Sequence, residues 1–317
     1  MAKAKAKGVA KAKKYDIVII GGGPAGLAAG VYAARARRST VIIEKNVTGG
    51  QIALTSDIEN YPGIDTINGF DLGQAMQQQA EKWGAEMAYV AVTGIEPQEG
   101  GLVVHTDDGD MLAKALIITA GADYNKLGVP GEERLVGHGV SYCGTCDAAF
   151  FKDQDVVVVG GGDAAMDEGL FVARYASKVS VIHRRDTLRA SAVLQERAFA
   201  NPKMEFVWDT VVESVDGESD VASVHLRNLK TDEQRDFPVQ GVFIFIGQTP
   251  NSGFLEGVVD TDAGGHIIVN EWMETNVPGI FAAGDIRNNS ARQVVTSAGD
   301  GATAAIRADH YINDHFK

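Results

Sequence analysis

Cys143 and Cys146 are the only cysteines in the chain, and Asp147 follows them directly. A thiolate is both a nucleophile and a metal ligand, and two cysteines this close make a poor structural staple. The spacing therefore points to reversible thiol redox chemistry or to half of a metal site. A structural zinc site takes four cysteine, histidine or carboxylate ligands. The nearest histidine is His138 and no second C-x-x-C exists, which favours redox chemistry and no metal. A secreted fold stapled by disulfides is excluded by the same count.

A redox pair needs a source of electrons, and two glycine patterns offer sites for one. Asp16-Ile17-Val18-Ile19-Ile20 reads as an apolar strand, followed by Gly21-x-Gly23-x-x-Gly26 and a helix to about Arg35, then the strand Val41-Ile42-Ile43 ending in Glu44. In a dinucleotide-binding unit the glycines allow a tight turn and close pyrophosphate approach. The helix N-terminus faces the phosphates, and the acid accepts hydrogen bonds from ribose hydroxyls. The pattern recurs 139 residues later, with Val156 to Val159 as strand, Gly160-x-Gly162-x-x-Ala165 as turn and Val179 to Ile182 as the next strand. Asp163 and Ala164, at the start of its helix, join its expected nucleotide contacts.

The two units differ where the ribose would lie. Glu44 stands 23 residues after Gly21, and the same offset from Gly160 reaches His183, followed by Arg184, Arg185 and Arg189. An acid suits a free ribose hydroxyl and repels a phosphate, whereas guanidinium groups bind a 2′-phosphate through charge-assisted hydrogen bonds. The second unit is therefore expected to take NADPH, and the first a dinucleotide without that phosphate. A nicotinamide beside a second dinucleotide suggests FAD, which accepts a hydride and passes electrons onward. Cys143 and Cys146 are then the natural electron exit.

These motifs sit in a chain of 317 residues, enough for two domains. Hydrophobic residues at 45% and charged residues at 22% are ordinary globular values. The net charge of −13 argues against a duplex-binding surface. Residues 1–14 hold six lysines and no acid, and are expected to be a solvated, disordered basic tail. Residues 17–34 carry no charge, but five glycines and Pro24 lie among them, which fits strand, turn and helix and not a membrane span. A cytoplasmic protein without nucleic-acid or membrane partners is expected.

Taken in order, the motifs resemble those of the low-molecular-weight thioredoxin reductases. They are Gly21-Gly22-Gly23-Pro24-Ala25-Gly26, Gly49-Gly50-Gln51, Glu59-Asn60-Tyr61-Pro62-Gly63, Cys143-Gly144-Thr145-Cys146-Asp147, His183-Arg184-Arg185 with Arg189, Gly284-Asp285, and Arg292-Gln293 followed by Thr296-Ser297-Ala298-Gly299. The resemblance implies an α/β fold of two Rossmann-like, three-layer ββα domains, with an NADPH domain inserted into a split FAD domain. The FAD domain would be residues 15–121 and 251–317, and the NADPH domain residues 122–250, joined by turn-rich hinges at Gly121-Ala122 and Gly247-Gln248-Thr249-Pro250. It further implies a homodimer.

The same likeness implies roles. Cys146 would face the flavin, Cys143 would exchange with the partner protein, and Asp147 would donate or accept the proton beside them. Asp285 would hold the ribityl and phosphate region of FAD, and Gln293 would lie beside the flavin ring. Gly50, Gln51, Asn60, Glu44, Gly284 and Arg292 would complete the FAD contacts. NADPH would reduce FAD, FAD the Cys143–Cys146 disulfide, and the dithiol a disulfide of thioredoxin or a similar small protein, with the NADPH domain rotating between steps. The alternatives are a flavin-dependent dithiol oxidase, a reductase of another thioredoxin-like carrier, and a flavin-bearing redox sensor without turnover. The arginines count against the oxidase.

Overall fold

In the computed structural model, which describes residues 12–54 and 58–316, the first strand already sets the layering. Along β1 (Lys13–Ile20), Ile17 and Ile19 enter one buried layer and Val18 and Ile20 the other. Successive strand side chains point to opposite faces, so an uninterrupted apolar run means a strand covered on both. Then come α1 (Pro24–Arg35), β2 (Thr40–Ile43), α2 (Gly69–Lys82), β3 (Glu86–Ala88), β4 (Val92–Gln98), β5 (Gly101–Thr106) and β6 (Gly109–Ile118). The sheet order is β3-β2-β1-β6-β5-β4. Strands β1, β2, β3 and β6 run parallel, and β4, β5 and β6 form an antiparallel meander.

Lys13 and Lys14 correct the expected tail. They open β1, paired with Met111 and Leu112 of β6, with exposed side chains. The ten-residue β6 extends beyond the apolar part of β1, and its backbone groups draw the two lysines into the ladder. Residues 1–11 of that tail lie outside the described residues.

The chain leaves this unit through β7 (Ala122–Tyr124) and enters a second, residues 124–249. Here follow β8 (Val140–Ser141), the one-turn helix α3 (Gly144–Asp147), β9 (Asp155–Gly160), α4 (Asp163–Val172), β10 (Lys178–Ile182), α5 (Ala192–Ala200), β11 (Met204–Val207), β12 (Thr210–Asp216), β13 (Ser223–Asn228), β14 (Gln234–Pro238) and β15 (Gly241–Phe245). The order β11-β10-β9-β15-β8 is parallel throughout. Val156 and Val158 of β9 pack with Ala165, Met166 and Ala198 of the helices, while Val157 and Val159 pack with Val212, Val224 and Leu226 of the β12-β13-β14 meander. This gives the three layers: helices, parallel sheet, antiparallel sheet.

The chain returns through β16 (Gln248–Pro250) to β17 (Ile280–Ala282) and α6 (Val294–His315). β17 pairs with Leu116 to Ile118 at the end of β6. One face of α6, with Ser297, Gly301, Ala304, Ala305, Ala308 and Ile312, is buried. An added Cβ on Gly301 would stand 1.9 Å from the Ala25 carbonyl oxygen, so only glycine lets α6 approach α1 this closely. The expected hinge turns contain two short strands, because β7 and β16 pair with each other. Among the described residues no helix is long and apolar enough to cross a membrane.

Candidate functional site

In the first unit, Gly21 has φ +113°, and a Cβ there would lie 2.3 Å from the Thr119 carbonyl oxygen. A Cβ on Gly26 would come within 1.9 Å of the Gly21 carbonyl oxygen, so the turn and the first coil of α1 can close only over bare backbone. Gly23 is the N-cap of α1, with Pro24 and Ala25 behind it. A Cβ on Gly23 would meet nothing nearer than the Gly49 carbonyl oxygen at 4.0 Å. That open space in front of free helix amides is the kind of place a phosphate occupies. Gly50, with φ +57°, lies against Gly23, and Gly49 N–H donates to the Gly22 carbonyl at 2.8 Å.

Glu44 follows β2 directly with its carboxylate on the turn, accepting from Gly22 N–H and Asn46 N–H, each at 2.8 Å. Gly284 brings the chain back against Ala25, where an added Cβ would sit 3.0 Å from the Ala25 Cβ. Asp285 beside it is half-buried. Burial pushes its carboxyl above the usual range, against the Ser290 and Ser297 hydroxyls and the Arg292 charge, while Asp300 adds to the rise. Ser290 donates to it at 3.0 Å and Ser297 at 3.4 Å. Asn60 donates to Gln293 at 3.2 Å, so these two residues meet. Gln51 turns aside to donate to Asp123 at 2.8 Å, and Arg292 has an exposed side chain on a residue with φ +57°.

Sequence reasoning missed the supports of this cradle. The Thr119 hydroxyl spans the Ile20 and Gly21 carbonyls at 3.0 and 2.9 Å. Arg287 holds Asp300 through contacts at 2.7 and 3.0 Å, and Asp300 in turn accepts from Gly284 N–H at 3.2 Å. Pairs formed across turns leave no periodic trace in a sequence. With its open glycine turn, acid at the ribose position and buried carboxyl, the set fits the FAD expected of it.

In the second unit a Cβ on Gly160 would fall 2.5 Å from the Phe245 carbonyl oxygen, and one on Gly162 would meet nothing within 4 Å. Gly162 caps α4, with Asp163 and Ala164 next, both exposed. Arg184, Arg185 and Arg189 are exposed, and no ion pair or side-chain hydrogen bond engages them among the described residues. The acid inside the same loop, Asp186, is drawn off by Lys230 at 3.1 Å. His183 departs from the expected cluster. Its ring is buried, 6% exposed, with Nε2 3.1 Å from the Thr187 carbonyl oxygen. Burial holds its pKa below the ordinary value, and the nearby Arg189 and Arg185 charges reinforce this. An open helix N-terminus flanked by three unpaired guanidinium groups fits NADPH.

The same unit carries a Cys143–Cys146 disulfide, with an S–S distance of 2.02 Å. Cys143 is the N-cap of α3, and Cys146 lies within it. Gly144 is packed closely, since a Cβ there would stand 2.5 Å from Glu168 Oε2, which also accepts from Thr145 N–H at 3.0 Å. Burial raises the Asp147 carboxyl above its usual range, opposed by a hydrogen bond from Ser141. Ser141 Oγ donates to Asp147 at 2.6 Å and also accepts from Cys143 N–H at 3.1 Å. One hydroxyl thus fixes the acid relative to the first cysteine, and no spacing rule had singled it out. Tyr142 donates to buried Glu132 at 2.8 Å and stacks on Tyr124, ring centroids 5.3 Å apart. Among the described residues no group of three or more histidine, cysteine or carboxylate side chains could hold a metal.

Known proteins share this arrangement. A family model for pyridine nucleotide-disulphide oxidoreductases matches residues 15–301. A thioredoxin reductase of Bacillus subtilis is 48% identical over 303 residues, covering 95% of this chain and 96% of that one. The crystal structure of a thioredoxin reductase from Streptococcus pyogenes superimposes with a TM-score of 0.92 at 46% identity, over 96% of this chain and 100% of the other. The solved structure of a thioredoxin reductase from Giardia duodenalis gives 0.90 at 36% identity, over 95% and 99%. With two nucleotide turns and a C-x-x-C disulfide already in view, these matches settle the family: the chain belongs to the pyridine nucleotide-disulphide oxidoreductases, among the low-molecular-weight thioredoxin reductases.

Proposed function

We propose that the protein uses NADPH, by way of FAD, to reduce the disulfide of thioredoxin or a thioredoxin-like protein. The observation that carries this is the Cys143–Cys146 disulfide, set beside a carboxyl that burial keeps basic, on the unit that also bears the arginine-flanked turn. When bound, NADPH supplies a hydride and FAD relays the electron pair to a disulfide.

The chain's own groups do the rest. Opening the Cys143–Cys146 bond takes two electrons and leaves two sulfurs that need at least one proton. Asp147, held by Ser141, supplies it from its carboxyl. Cys143 as thiolate then attacks the partner's disulfide, forming a mixed disulfide and releasing one partner thiolate. Attack by Cys146 on the Cys143 sulfur frees the partner's second thiol and restores the Cys143–Cys146 bond. The first unit holds FAD through Gly21, Gly23, Pro24, Ala25, Gly26, Glu44, Gly50, Asn60, Gly284, Asp285 and Gln293. Gly160, Gly162, Arg184, Arg185 and Arg189 hold NADPH.

Dithiol and nicotinamide site share one unit, so both must reach a single flavin in turn. A rotation about the crossings β7 and β16 meets that requirement, on the microsecond to millisecond scale of hinge motions. Tyr32 on α1, Phe70 on α2 and Trp83 just after α2 are exposed, and support a homodimer formed by the first unit. A dithiol recharged from NADPH works where thiols are kept reduced, which supports a cytoplasmic location.

Anaerobic titration of the yellow holoenzyme with NADPH tests the proposal. Bleaching of the flavin, reversed by oxidised thioredoxin, is expected. Recovery only on admitting air would make it an oxidase, and no bleaching would leave a redox sensor.

A further inference from the structure

We propose that His183 and Asp163 are positioning residues that clasp the arginine loop to the second glycine turn, and so pre-set Arg184, Arg185 and Arg189 for a 2′-phosphate. The inference rests on the NADPH assignment of this turn and deepens it.

The loop between β10 and α5 is long, polar and exposed at its arginines, the kind of segment that would otherwise sample many conformations. Hydrogen bonds pin it at His183, Arg185, Thr187, Arg189 and Ser191. His183 N–H donates to the Val207 carbonyl and the His183 carbonyl accepts from Thr210 N–H, each at 3.0 Å, which fixes the residue between β11 and β12. From there its ring slides under the glycine turn, where a Cβ on Gly161 would stand 2.2 Å from Cε1. Its Nε2 donates to the Thr187 carbonyl across the loop.

The other pins come from the turn. Gly161 accepts from Arg189 N–H at 2.7 Å, and Asp163 Oδ1 accepts from Ser191 N–H at 2.6 Å. These bonds hold the end of the loop to the turn and the helix start that would meet the pyrophosphate, and the His183 ring under Gly161 holds its beginning. Asp186, the one acid between them, is meanwhile engaged by Lys230. Among the described residues no ion pair or side-chain hydrogen bond engages the three arginines of the loop.

The charges fit a clasp better than direct contact. An imidazole buried beneath Gly161 acts as a wedge under the turn and not as a ligand reaching outward. An aspartate near an anion site would repel the ligand if it acted only through its charge. Its carboxylate earns its place by ordering the loop before the ligand arrives, because a pre-ordered site loses less conformational freedom on binding.

Calorimetric titration of the oxidised holoenzyme with adenosine 2′,5′-bisphosphate and with adenosine 5′-monophosphate tests this, the ratio of the two dissociation constants being the readout. Asp163→Ala should weaken the bisphosphate by about tenfold, equivalent to about 1.4 kcal/mol, and the monophosphate by no more than about twofold. Asp163→Asn keeps an oxygen for Ser191 N–H and should recover most of the ratio. His183→Ala should lower the ratio in the same direction, and if it fails to fold, the Asp163 pair still decides. An unchanged ratio in Asp163→Ala would overturn the clasp, as would tighter bisphosphate binding in both Asp163 variants, the result for a mere nearby anion. A wild-type protein with no preference for the bisphosphate would overturn the NADPH assignment itself and the clasp with it.

Discussion

In the first unit the strand after the glycine helix is followed by Glu44, whose carboxylate reaches back to Gly22 N–H. In the second the corresponding place belongs to His183, whose ring lies under Gly161 and leaves the next residues, Arg184 and Arg185, facing solvent. The backbones up to that point are near repeats: a strand buried on both faces, a turn that excludes side chains, and a helix capped by glycine. The common part suits what dinucleotides share, the pyrophosphate. The residue just after the strand and its successors select what they do not share, the ribose. Ligand choice in this architecture is therefore a matter of a few side chains at one strand end and not of the fold.

That division can be attacked directly. The largest effect is expected from Cys143→Ser, which should leave both turns working, so that NADPH still bleaches the flavin in a rapid-mixing experiment, yet abolish reduction of the partner's disulfide. Substantial partner reduction by this variant would detach the dithiol from the second unit's function.

Asp147→Asn should slow reoxidation of the reduced flavin by the disulfide by about a hundredfold, within the usual range for removing a general acid. Since burial raises the Asp147 pKa, the carboxyl keeps its proton above the ordinary aspartate range. The wild-type rate of this step should fall as pH rises through that raised value, and the Asn variant should lack the limb. A common pH profile for both would remove Asp147 from the proton path.

Replacing Arg184 and Arg185 together by alanine should weaken NADPH by about a hundredfold, as two charge-assisted hydrogen bonds at about 1.5 kcal/mol each are lost. NADH, measured by the same titration, should change little. Equal losses for both nucleotides would erase the contrast between the strand ends.

The smallest effect concerns the first turn. Asp285 has a raised pKa in the folded protein, so its contribution to stability is present below the unfolded value of about 3.9 and is lost as pH rises through the folded one. Asp285→Asn should therefore raise the melting temperature of the flavin-free protein near pH 8, and the gain should vanish near about pH 3. A lower melting temperature at the higher pH would mean that the carboxylate is stabilised there by more than its neighbours suggest.

Much of this was legible in the sequence, for a local reason. Glycine turns, the strands that feed them and the charge at a strand end are short-range patterns, and β1, α1, β2 and β9 follow them closely. Side-chain direction is a different matter. Nothing in His183-Arg184-Arg185 says that the first points inward and the others outward; Gly161 and Thr187, brought near by the fold, decide it. Ser141 with Asp147, Arg287 with Asp300, and Gln51 with Asp123 join residues 6, 13 and 72 positions apart, beyond any local rule. Lys13 and Lys14 look like tail and become strand only because β6 is long enough to pair with them.

The way the chain enters and leaves the second unit has an evolutionary consequence. Asn125 N–H donates to the Gly247 carbonyl at 3.0 Å, so the ends of this segment are fastened to each other before the chain returns. A module whose termini already touch can be spliced into a host loop with little added closure entropy. Duplication of one ancestral nucleotide binder, followed by insertion of the copy into the original, would need only that single doorway.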